Sequence, residues 1–189
     1  MATHKGYSLI QIVLHWTIAV LVIFQLLVNE RMQNAFDDRL DGNPIDEMES
    51  AVLHVGVGLT ILALAAIRVV VRLIRGVPAA HNDKPAILKW IGYTTHALLY
   101  GFIFAMPVTG AVAWFGGIEA SAEFHELGRL VLIPAIGLHA VGALAEHFVF
   151  QNDSLLRMLR PESVRGTWVK ETRPRPSSVS TSLETARGY

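Results

Sequence analysis

Apolar residues along this chain gather into four long blocks, Leu9 to Val28, Ala51 to Leu73, Trp90 to Ala113 and Phe124 to Phe150, with polar segments between them. A helix on the surface of a soluble bundle keeps one polar face along its whole length. These blocks do not; the polar residues inside them are few, and many are His, Thr or Gly. Each block approaches or exceeds the roughly 20 residues that a helix needs to cross a hydrocarbon core about 30 Å thick. The pattern predicts an all-α membrane protein, a four-transmembrane-helix bundle within one domain spanning 7–160. The segment Asn29 to Ser50 is polar and expected to be partly helical, and Trp114 to Glu123 reads as a short loop. Pro107 and Pro134 fall inside the third and fourth helices, where each removes a backbone hydrogen bond and is expected to kink its helix. The 161–189 tail is rich in Ser, Thr, Arg and Pro, cannot bury a core and is expected to be disordered.

The first block is too long for a typical signal-peptide core. No small-residue cleavage site follows it, since Val28, Asn29, Glu30 and Arg31 come next. It is therefore expected to remain as the first helix. The polar segments differ in charge. Between the first and second helices stand Glu30, Asp37, Asp38, Asp41, Asp46, Glu47 and Glu49 against Arg31 and Arg39. Around the next connection stand Arg68, Arg72, Arg75, Lys84 and Lys89 against Asp83, and the tail adds further Arg and Lys. An excess of Lys and Arg marks the cytoplasmic side, so both termini are expected there, in a bacterial inner membrane. The formal net charge of +0 at pH 7 hides this separation and gives no reason to expect a nucleic-acid partner.

Ionisable residues inside a membrane are costly and are candidates for function. His125 and His139 both lie in the fourth block. Their spacing is almost four helical turns, so both imidazoles point the same way, roughly 21 Å apart along the axis. His15 in the first block and His54 in the second supply partners at matching depths. Depth pairs His54 with His125 near the outer face and His15 with His139 in the inner half. Such pairs suit two stacked metal or haem sites, and bis-imidazole ligation saturates an iron and favours electron transfer. The separation along the fourth helix excludes one zinc site using both of its histidines. The chain has no cysteine, which excludes thiolate ligation, iron–sulfur clusters and covalent c-type haem. Any haem is held non-covalently, by histidine and packing.

Gly56 and Gly58 follow His54, and Gly128 and Gly142 each follow a fourth-block histidine by three residues. Small residues admit a flat macrocycle or a neighbouring helix. His96 and His147 lie near the inner face without a depth partner except each other. They are candidates for handling protons or contacting a quinone, because imidazole titrates near neutral pH. Arg68 and Arg72 stand one turn apart near the same face, suited to pairing with haem propionates or a quinone head group. His4 and His81 sit in polar segments and are expected to be solvated. Trp16, Trp90 and Trp114 read as membrane-belt residues.

In order and spacing, Leu14-His15-Trp16, His54-Val55-Gly56-Val57-Gly58, Met106-Pro107-Val108-Thr109-Gly110, His125-Glu126 and Gly137-Leu138-His139-Ala140 resemble the bacterial cytochrome b561 family. Ala145-Glu146-His147-Phe148 and Asp153-Ser154-Leu155-Leu156-Arg157-Met158 extend the resemblance, although that family commonly has histidine where Glu146 stands. The resemblance implies a membrane cytochrome with two b-type haems (haem b), the outer on His54 and His125 and the inner on His15 and His139. It also implies electron exchange with ubiquinone or ubiquinol. Members similar to superoxide oxidase take electrons from superoxide outside. Others serve as the cytochrome b subunit of a partner dehydrogenase or hydrogenase. A channel or transporter is the non-redox alternative, and it would purify colourless.

Overall fold

The computed structural model describes residues 6–28, 30–78 and 86–161, so His4, His81 and the tail from 162 lie outside the described residues. Six helices follow in chain order: α1 (Leu9–Leu27), α2 (Glu30–Asp41), α3 (Met48–Arg75), α4 (Ala86–Gly116), α5 (Glu119–Phe148) and α6 (Ser154–Arg157). There is no strand among the described residues. The four long helices α1, α3, α4 and α5 correspond to the four apolar blocks, and all are long and apolar enough to cross a membrane. Many of their outward side chains meet no protein, as with Leu27 at 80% exposure and Phe124 at 72%. Lipid is the solvent that such a surface requires.

Local chemistry sets the ends of the helices. The Ser8 backbone N–H donates to Gln11 Oε1 at 3.0 Å, which satisfies a donor at the start of α1. Gly76 ends α3 at φ 72°, and its N–H donates to Arg72 O at 2.9 Å. The Gly76 carbonyl in turn accepts from Gln11 Nε2 at 3.0 Å, tying α3 to the start of α1. The segment expected to be a loop from Trp114 to Glu123 is almost all helix, and only Gly117 and Ile118 connect α4 to α5. Gly117 makes this possible with φ 64°, a conformation costly for other residues, while its N–H donates to Ala113 O at 2.9 Å. The polar residues there belong to the first turns of α5, where an acidic residue such as Glu119 favours the positive end of the helix dipole. Pro107 and Pro134 both lie inside continuous helices.

The short turn packs α4 against α5 as antiparallel neighbours; α3 packs on both α1 and α4. Contact between α1 and α5 is slight, and these two helices face each other across an interior space. The packed core is correspondingly thin. Ile18, Ile61 and Ala65 form one buried cluster in the bundle. Ala35, Ala51 and Trp114 form another, where α2 folds over the end of the bundle with Met32 and Phe36 against it. The partly helical connection expected from sequence is thus a cover. Its Arg39 guanidinium stands 5.1 Å from the Trp114 ring centre.

Candidate functional site

One cavity of about 1500 Å³ runs through the bundle, and His15, His54, His96, His125 and His139 all line it. A site for a single small molecule occupies about 300–1,000 Å³, so this space is large enough for more than one group. The His54 and His125 ring centres lie 6.1 Å apart, and those of His15 and His139 also lie 6.1 Å apart. Metal–nitrogen bonds of about 2 Å, with a further ~1.1 Å from nitrogen to ring centre on each side, separate two opposed imidazoles by about 6 Å. Both pairs have this separation. The pairing expected from depth is the pairing that the fold brings about. Among the described residues, no three His, Cys, Asp or Glu side chains gather around one point, so the arrangement is one of pairs.

The outer pair is held from behind. His125 Nδ1 lies 2.8 Å from the Met106 carbonyl, which can only accept, so Nδ1 carries the proton and donates. Nε2 is left with its lone pair, the tautomer that a metal ligand needs. Thr109 Oγ1 is 3.3 Å from the same nitrogen. Gly110 makes room, because a Cβ there would stand 3.0 Å from His125 Cε1. These partners lie on α4 and carry no signature in sequence beyond the Met-Pro-Val-Thr-Gly order. His54 Nδ1 has no hydrogen-bond partner among the described residues, and it is buried.

The glycines divide by role. A Cβ on Gly128 would lie 2.5 Å from Met106 Sδ, so this glycine seats α4 against α5. Gly58 faces the Gln25 amide at 3.4 Å. Gly142 borders the cavity with nothing within 4 Å of its Cβ position, while Gly56 is open and off the wall. The repeated His-x-x-Gly pattern therefore serves helix contact at one position and open cavity at the other.

At the inner end His96 approaches His139, with ring centres 5.0 Å apart and planes at 90°. That separation is too short for two ligands of one iron, so the pair is an edge contact. His96 Nδ1 donates to Gly92 O at 2.7 Å. The structure does not join His96 to His147. His147 lies against Phe148 with ring centres 4.8 Å apart and is off the cavity wall. Arg68 and Arg72 both border the cavity. Arg68 Nη1 donates to Gln11 O at 3.1 Å, and the Arg72 guanidinium lies 5.8 Å from the Tyr100 ring centre. Tyr100 Oη is buried without a partner among the described residues. Trp16 Nε1 donates to Met158 O at 2.9 Å, which docks the segment around α6 on α1.

The residues fit haem in donor type, opposed spacing and room, and His125 also in tautomer. Comparison with known proteins agrees. The family model for prokaryotic cytochrome b561 matches residues 6–161. The chain is 35% identical over 164 residues to cytochrome b562 of Cereibacter sphaeroides, covering 85% of this chain and 99% of that one. It is 28% identical over 177 residues to the probable superoxide oxidase CybB of Yersinia pestis, covering 82% and 97%.

Proposed function

Since this chain belongs to the prokaryotic cytochrome b561 family, haem-b membrane proteins that transfer electrons, we propose that it binds two b haems and moves electrons between the periplasmic side and ubiquinone. The observation that carries this reading is the pair of 6.1 Å histidine separations along one cavity. His54 and His125 are the proposed outer ligands, and His15 and His139 the inner ones. When bound, haem supplies a one-electron couple at each iron.

The remaining steps fall to the chain itself. Met106 O holds the proton on His125 Nδ1 and keeps Nε2 facing the cavity. The cover formed by α2 packs over the outer end, with Trp114 buried beneath it. Arg68 and His96 border the inner end, where a quinone would take protons along with electrons. The Arg68 guanidinium can hold an anionic oxygen, and His96 Nε2 can accept or release a proton. His147, off the wall, would exchange protons at the interface. Arg68, Arg72, Arg75 and Arg157 share the end of the inner pair, which supports a cytoplasmic inner face in the bacterial inner membrane.

Superoxide is the proposed donor, by similarity to the relative named for that activity. The second reading is a cytochrome b subunit serving a partner dehydrogenase or hydrogenase. One observation favours it: Asp37, Asp41, Asp46, Glu49, Glu119 and Glu123 are exposed around the outer end. Such a surface repels an anion and attracts a basic protein. Salt separates the two. Screening speeds an encounter between like charges and slows one between opposite charges. Stopped-flow reduction by superoxide, with and without quinone, should therefore quicken as ionic strength rises. Pyridine-haemochrome analysis should give two b haems per chain, all released by acid-acetone. A ratio of one or none would overturn the two-site reading.

A further inference from the structure

Gln25 lies on α1 beside the outer site and borders the cavity. Its Nε2 donates to the backbone carbonyl of His54 at 2.7 Å. That carbonyl can only accept, so the nitrogen end of the amide must face it, and Oε1 is the free end. Oε1 is buried and has no hydrogen-bond partner among the described residues. The other orphan at this site is His54 Nδ1, also buried. One is an acceptor, and the other becomes a donor once Nε2 is committed to a metal. Both sit on side chains gathered at the same residue, because the amide is anchored to His54 itself. Gly58, one turn along α3 from His54, leaves space for the amide, with Gln25 Nε2 3.4 Å from its Cβ position.

His125 shows what His54 lacks. On the opposing face, a carbonyl already takes the Nδ1 proton. A ligand histidine nearly always donates its second nitrogen to such an acceptor, which fixes the tautomer and raises the basicity of the ligand. We infer that Gln25 is a positioning residue for the outer site: in the haem-loaded protein Gln25 Oε1 accepts the Nδ1–H of His54, completing the support that Met106 gives to His125. The contact makes His54 a stronger donor to iron and so favours the oxidised state of the outer haem. This inference rests on the proposed ligation by His54.

The test is a redox titration of purified holoprotein, with electron paramagnetic resonance of the oxidised form, for Gln25→Leu, Gln25→Glu and His54→Ala. Gln25→Leu should keep two haems and raise the outer potential by about 59 mV, a tenfold change in its oxidised-to-reduced ratio. Gln25→Glu, a stronger acceptor, should lower the outer potential and move the low-spin signal toward imidazolate character. The inner haem should stay where it is in both variants. Loss of the outer haem in His54→Ala with both potentials unmoved in the Gln25 variants would overturn this inference alone. Retention of the outer haem in His54→Ala would overturn the ligand assignment and this inference with it. If Gln25→Leu does not fold, the Gln25→Glu shift and its spectroscopic signature still decide.

Discussion

The two histidine pairs share one spacing and differ in almost everything around it. At the outer pair, a backbone carbonyl takes the second nitrogen of His125, Gly110 clears the ring, and α2 closes over the end with Trp114 and Ala51 buried beneath it. The inner pair has a third imidazole against His139, and two arginines border the cavity beside it. Equal spacing gives the two pairs the same geometry, so what distinguishes them lies in their surroundings. The outer surroundings fix the tautomer of His125, which suits a site that only passes electrons. The inner surroundings add titratable and cationic groups, which suit a site that pairs electrons with protons.

The comparison breaks most visibly by removing a ligand. His54→Ala or His125→Ala should cost the outer haem, and His15→Ala or His139→Ala the inner one, each halving the haem-to-protein ratio. Redox titration should then show a different missing component for the two sets. The same component missing from His15→Ala and His125→Ala would end the pairing.

His96→Ala should retain both haems and slow quinone reduction about 10²-fold, the lower end for a lost proton-transfer group. Turnover and haem content measured together check this. Undiminished turnover would move the quinone elsewhere, and lost haem would make His96 a ligand.

Gly110→Ala should act on the outer site alone. Its methyl would meet the His125 ring at 3.0 Å, a clash costing about 1–3 kcal/mol. The outer haem should become easier to extract, with the inner one unaffected, as followed by absorbance during detergent titration. Equal loosening of both haems would show that the two sites are not independent.

The smallest effect belongs to the cover. Arg39→Ala removes the guanidinium stacked on Trp114, a contact worth about 0.5–1 kcal/mol at an exposed position. Hydrogen exchange in α2 should quicken slightly while exchange in α4 and α5 holds. A change confined to the inner end would mean that α2 does not act as the lid of the outer site.

The four long helices and both histidine pairs were legible before any coordinates. Hydropathy over some twenty residues reports membrane crossing, and a near-whole number of turns between His125 and His139 puts two imidazoles on one face. Depth alone then matched them to His54 and His15. Depth could not say which neighbour a side chain touches within a layer. Height offers His96 only His147 as a partner, whereas His96 leans on His139, because α4 packs beside α5. The sequence leaves Gly128 open between a macrocycle and a neighbouring helix, and it seats Met106, a contact that depends on the approach of two helices. Gln25 was visible only as one polar residue in an apolar run.

The amino-acid order fixes membrane class, the count of membrane-spanning helices, the lack of thiolate ligands and the set of candidate ligands. All of these follow from composition or from periodicity within a single helix. The tertiary structure alone decided the two-residue turn at Gly117 and Ile118, the closing of α2 over the outer end, and the carbonyl behind His125. It also decided the partners of His96 and Gln25. These are relations between helices, set by rotation and separation of packed surfaces, and a hydropathy pattern carries neither coordinate.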